Sequence, residues 1–116
     1  MTQTYFHVDE DLDFAPSRPA DGRDEGSYAR RVWTDTGSEH PAAVAVWRAT
    51  PGTYSYPARA LDETFVVISG TALCQVGGGE QKEIGPGSIV NIAKGEAITL
   101  QVQTELRKVA TVIPKP

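Results

Sequence analysis

Glu63-Thr64-Phe65-Val66-Val67-Ile68-Ser69-Gly70 is the stretch that decides the fold. A carboxylate opens it, β-branched and aromatic residues fill it, and a glycine closes it. Thr64–Ile68 is apolar on both faces, as expected of a strand with one side lining an interior and the other meeting a second layer. Further on, Gly85-Pro86-Gly87 punctuates the chain before another short apolar run, Ser88–Ala93. The two segments read as the two halves of a small β-barrel, with Glu63 aimed into it.

Short strands extend the pattern in both directions. Upstream, Tyr28–Trp33 is a candidate strand suited to covering a barrel edge or pairing with a second chain, because an open edge must be hidden. Val44–Ala49 places Ala45 and Trp47 on one face and Val44, Val46 and Arg48 on the other, and Thr53–Pro57 puts Tyr54 and Tyr56 on a common face. Downstream, Thr71–Val76 and Gln81–Ile84 flank the hairpin signal Gly77-Gly78-Gly79. Ala97–Gln103 alternates cleanly, with Ile98, Leu100 and Val102 on one side, and Leu106–Ile113 closes the domain. No segment carries a helical period. Residues 9–26, with their clustered Asp, Pro and Gly, read as an irregular leader. The expectation is an all-β sandwich or closed barrel. Residues 1–30 form an N-terminal leader that carries an edge or swapped strand, and residues 31–116 form the barrel.

The totals narrow the function. A chain of 116 residues makes one domain. Its net charge of −4, with Lys and Arg scattered, argues against nucleic acid and against a polybasic membrane patch. No apolar run has the length of a membrane span, no signal-peptide pattern opens the chain, and the single Cys74 has no internal disulfide partner. A cytoplasmic protein fits these features. Gly77-Gly78-Gly79 lacks the Lys-Ser/Thr and the helix of a phosphate loop, and there is no Gly-x-Ser-x-Gly elbow.

The strand order and punctuation resemble a cupin, a double-stranded β-helix of jelly-roll type. Gly52, Glu63 and Gly70 fall on the first cupin motif, and Gly87 and Gly95 on the glycines of the second. Val46-Trp47, Thr50-Pro51-Gly52, Asp62-Glu63, Gly85-Pro86-Gly87 and Arg107-Lys108-Val109 resemble, in that order, a group of stand-alone cupins related to ureidoglycine aminohydrolase domains. The likeness covers residues 31–113. The resemblance implies a metal held by histidines, but its His-x-His slots fall on Tyr56 and Ala58, or on Pro57 and Arg59. The second-motif His slot falls on Ile98, its Pro position on Ala93, and a usual Trp on Leu100. Glu63 alone remains of the four expected ligands. The resemblance also implies a homodimer made by exchanging an N-terminal strand, a role that suits Tyr28–Trp33.

The candidate site follows from these departures. Trp47, Tyr54, Tyr56 and Glu63 are expected to line the barrel mouth and contact a ligand. A buried carboxylate must be paired or take up a proton. Glu63 is therefore either bonded to a tyrosine, Lys108 or Arg48, or raised in pKa and available as a general acid or base. Tyr54, Tyr56 and Trp47 have core packing as the alternative, and the tyrosines also an outward dimer contact. Lys108 is read as exposed by default and Cys74 as an apolar filler. His7 and His40 read as leader and turn residues. A metal held by Glu63, Cys74 and a further partner is the unorthodox alternative. The leading expectation is a metal-free cupin without cofactor, binding a small polar or carbohydrate-like molecule or serving as a dimeric scaffold. The alternative is an isomerase, lyase or amidohydrolase acting on a ureido or amide compound through Glu63.

Overall fold

The computed structural model describes residues 7–8, 14–16 and 26–116. Among these the chain is all β. The strands are β1 (Ala15–Pro16), β2 (Ser27–Thr34), β3 (Ala43–Ala49), β4 (Gly52–Tyr56), β5 (Leu61–Ser69), β6 (Ala72–Val76), β7 (Lys82–Ile84), β8 (Ile89–Ile92), β9 (Ile98–Val102) and β10 (Leu106–Pro114). They form two antiparallel sheets, one in the order β1-β2-β3-β10-β5-β8 and one in the order β4-β9-β6-β7. Each strand expected from the sequence is present within a few residues of its expected bounds. Most of the leader lies outside the described residues. The strand expected at Tyr28–Trp33 is β2, which pairs along β3 of its own chain, and the short β1 borders its other edge.

Pairing register explains how the core assembles, because directly opposed residues share a face. On the inner face of the larger sheet, one row runs Ala29–Trp47–Lys108–Val67. The next runs Arg31–Ala45–Ala110–Phe65–Val90, and a third runs Ala43–Val112–Glu63–Ile92. The smaller sheet answers with Tyr54–Leu100–Cys74 and Tyr56–Ile98–Val76. Phe65, Val67, Tyr54, Leu100 and Leu106 are almost fully buried between the layers. Each such large apolar side chain contributes about 1.5–3 kcal/mol.

Two local features fix the geometry near Glu63. The β5–β10 register shifts between Arg107 and Lys108, so that Arg107 opposes Ser69 while Lys108 opposes Val67. This bulge keeps the Lys108 side chain on the Glu63–Phe65–Val67 face, and bulges commonly re-aim a side chain in this way. Gly70 ends β5 at φ +86, where a Cβ would stand 2.1 Å from the Glu105 carbonyl oxygen. The turn can therefore pass against the start of β10 only with glycine at this position.

Candidate functional site

The middle inner row is built largely from small residues. Ala45 and Ala110, with Ala29 beside them, leave a cavity of about 130 Å³ between the sheets. Its wall is completed by Val112, Ile98 and Leu100, and its polar groups come from Trp47, Tyr56, Arg59, Glu63 and Lys108. Trp47 comes from β3, Tyr56 from the end of β4, Glu63 from β5 and Lys108 from β10. Arg59 comes from the connection between β4 and β5.

Glu63 sits at the centre of the polar group. Its Oε1 accepts from Arg59 Nη2 at 2.7 Å, and its Oε2 accepts from Lys108 Nζ at 3.0 Å. Glu63 and Lys108 are each only 6% exposed. The Lys108 side chain reaches across the middle row, so its ammonium lies 4.0 Å from the centroid of the Phe65 ring and 5.0 Å from that of Trp47. Aromatic faces stabilise a desolvated cation in this position. Trp47 Nε1 donates to Tyr56 Oη at 3.2 Å, and the Arg59 guanidinium stands 5.8 Å from the Tyr56 ring centroid.

The electrostatics follow from burial and pairing. Burial pulls the Glu63 carboxyl upward, but the Lys108 charge and hydrogen bond, joined by those of Arg59, outweigh it and hold the group below its usual range. Burial pushes the Lys108 ammonium down, against the opposing pull of Glu63, and the result is a lysine below its usual range. Burial also raises the Cys74 thiol, with Lys108 opposing. Cys74 is thus a buried thiol held in its neutral form, consistent with an apolar filler.

One expectation is corrected here, and the alternatives left open for Glu63 are decided. Lys108 is buried rather than exposed, because it shares the inward parity of Leu106 and Ala110. Of the partners expected for Glu63, Lys108 is the one present, and Arg59 joins it. Arg48 points to the outer face, where it meets Glu105 at 3.6 Å and lies 4.6 Å from the Tyr28 ring centroid. The pKa of Glu63 is lowered rather than raised, because two cations act on one carboxylate.

Trp47, Tyr56 and Glu63 meet at one cavity, and Tyr54 does not join them. Tyr54 lies one row deeper, fully buried, with its ring edge-on to Trp47 at 5.6 Å. Its hydroxyl donates to the Thr50 carbonyl at 2.8 Å. His7 and His40 are exposed, and neither borders the cavity. Arg59 was missed as a site residue, although a signal for it existed: it occupies the second His slot in one of the two registers of the cupin resemblance, as Tyr56 occupies the first His slot in the other.

The donor set does not fit a metal. Both oxygens of Glu63 are engaged by cations of the chain itself, and the remaining ligand slots present Tyr, Ala, Pro, Arg or Ile. Among the described residues, no three His, Cys, Asp or Glu side chains converge. A catalytic metal ordinarily needs about three protein ligands.

Comparison with known proteins supports the fold. The family model described as the EutQ-like cupin domain matches residues 36–110. The ectoine synthase of P. lautus superposes with a TM-score of 0.74 at 19% identity, over 98% of this chain and 80% of that one. An uncharacterized conserved protein with a double-stranded β-helix domain from Klebsiella pneumoniae gives 0.65 at 25% identity, over 97% and 90%. The Clostridium difficile EutQ protein gives 0.63 at 21% identity, over 77% of this chain and 63% of that one. The chain thus spans less than two-thirds of that EutQ protein. None of the curated proteins matches the sequence. The architecture is the double-stranded β-helix.

Proposed function

The chain belongs to the EutQ-like cupin domain family, and from that premise we propose that it is a metal-independent cupin that binds a small polar molecule between its sheets. The observation that carries the proposal is the cavity of about 130 Å³ with the Arg59–Glu63–Lys108 group on its wall. Barrel mouths are common ligand sites, and such sites combine an apolar wall with a few placed polar groups. The size limits the ligand. An apolar protein cavity of roughly 150 Å³ accommodates benzene, so this one suits about six non-hydrogen atoms and admits a whole sugar ring only partway.

Proton transfer by Glu63 on a ureido or amide compound has less in its favour. A general acid or base works best with a pKa near the working pH, and Glu63 is held on the low side by two cations. The kinship to ureidoglycine-processing domains rests on the sequence motifs alone. The proposal keeps a homodimer in the cytoplasm as its setting. Among the described residues β2 pairs with β1 only over a short stretch, and the edge beyond it, together with Trp33 at 42% exposure, is the surface proposed for a second copy. Light scattering tests the dimer, and a monomer at micromolar concentration refutes it.

Saturation-transfer NMR against a panel of small polar molecules tests the binding proposal, with Ala45→Leu as control. Binding to the native chain that vanishes in the filled variant supports it. Binding that survives the filling places the ligand elsewhere and refutes it.

A further inference from the structure

The polar wall of the cavity carries two cations and one anion. Arg59 and Lys108 are both bonded to Glu63, through its two different oxygens. One carboxylate therefore serves two positive charges, and the group is left one charge positive. The surplus is also one of hydrogen-bond donors. A guanidinium has five N–H donors and an ammonium three, while an ionised carboxylate only accepts. Arg59 uses its Nη2 on Glu63 and meets the Tyr56 ring, and among the described residues no other acceptor reaches its guanidinium. Lys108 uses one donor on Glu63, and its remaining bulk faces the Phe65 and Trp47 rings. The side chain of Arg59 is 33% exposed, so its unused fork is open to a ligand entering the cavity. The walls beyond it are the methyl and alkyl groups of Ala29, Ala45, Ala110, Val112, Ile98 and Leu100.

We infer that the ligand is a short-chain aliphatic monocarboxylate, its carboxylate on the free donors of Arg59 and its alkyl tail among the alanines. This inference rests on the proposed binding cavity and deepens it by naming the chemical class. A monoanion brings the group to neutrality, where a neutral ligand leaves the excess charge and a cation doubles it. The planar guanidinium fork matches a carboxylate in two parallel hydrogen bonds, which gives direction as well as attraction. A four-carbon acid has about the six non-hydrogen atoms that the cavity admits.

Calorimetric titration with butyrate, butyramide and n-butylamine in a buffer free of carboxylates tests the inference, with the Trp47 indole N–H resonance as a reporter of location. Butyrate is expected to bind about tenfold or more tightly than its amide, as hydrogen bonds to charged groups outweigh neutral ones. n-Butylamine is expected not to bind. Arg59→Gln is expected to reduce butyrate to the affinity of the amide, and Arg59→Lys to retain part of the preference. Arg59 is partly exposed in a connection, so both variants are expected to fold, which circular dichroism checks. Equal binding of butyrate and butyramide overturns the anion assignment and leaves the cavity as a ligand site. No binding of any probe, with no shift of Trp47, overturns the cavity reading as well. Butyrate affinity unchanged in Arg59→Gln overturns the role given to Arg59.

Discussion

Lys108 Nζ lies 3.0 Å from Glu63 Oε2, although 45 positions of sequence separate the two residues. Neighbouring strands β5 and β10 bring them together, and the β-bulge beside Lys108 sets the face. The chain thus supplies its own counter-cation to the one carboxylate that is buried among the described residues.

This pairing makes the two partners unequal in their effect on stability. Glu63→Gln strands a buried ammonium and is expected to cost about 3–5 kcal/mol, as removal of one partner of a buried pair does. Lys108→Met leaves Glu63 with Arg59 and restores apolar contact with Phe65, so about 1–2 kcal/mol is expected. Urea denaturation measures both. A loss in Lys108→Met equal to or larger than that in Glu63→Gln removes the asymmetry.

Stability should also depend on pH in a stated direction. The folded pKa of Glu63 lies below the unfolded value of 4.5. Between these two values the unfolded chain binds the extra proton. The contribution of Glu63 is therefore fully present above the unfolded pKa and lost as pH falls through the folded one. Thermal midpoints of the native chain and Glu63→Gln, measured across the acid range, should converge as pH falls. A gap that stays constant contradicts the linkage.

The two tyrosines of β4 are expected to behave differently. Tyr54→Phe deprives the Thr50 carbonyl of a buried donor and should cost about 1 kcal/mol. Tyr56→Phe lies on the cavity wall and removes the acceptor of the Trp47 indole N–H. Its signature is a shift of the Trp47 resonance with a smaller loss of stability. Equal losses would place both tyrosines in the same environment.

Two glycines with similar backbone angles should differ sharply. Gly70 and Gly87 have φ of +86 and +89, but a Cβ at Gly70 meets the Glu105 carbonyl, whereas at Gly87 nothing lies within 4 Å. Gly87→Ala carries only the left-handed backbone penalty of about 1–2 kcal/mol. Gly70→Ala adds a collision with main chain and should exceed about 3 kcal/mol. Denaturation of the two variants settles the comparison.

The strands were legible because period-2 patterns and Gly-rich turns are local signals. Ile98, Leu100 and Val102 alternate as read and are all buried. The carboxylate was legible because it heads the apolar strand that it belongs to. Lys108 was legible only as one possible partner of Glu63, because lysine is exposed by default and its burial depends on a partner that lies on another strand. Its parity with Leu106 and Ala110 was the available clue. Arg59 sits in a connection, where no periodicity states the direction of a side chain. Tyr54 and Tyr56 share a face, but depth along a strand is set by the opposing sheet, which sequence spacing does not report.

The most direct measurement of the central claim, that Lys108 and not a metal neutralises Glu63 inside the barrel, is elemental analysis of the untagged protein. The account expects transition metal far below one ion per chain, in the native chain and in Glu63→Gln alike. One tightly held ion per chain, lost in Glu63→Gln, would contradict it.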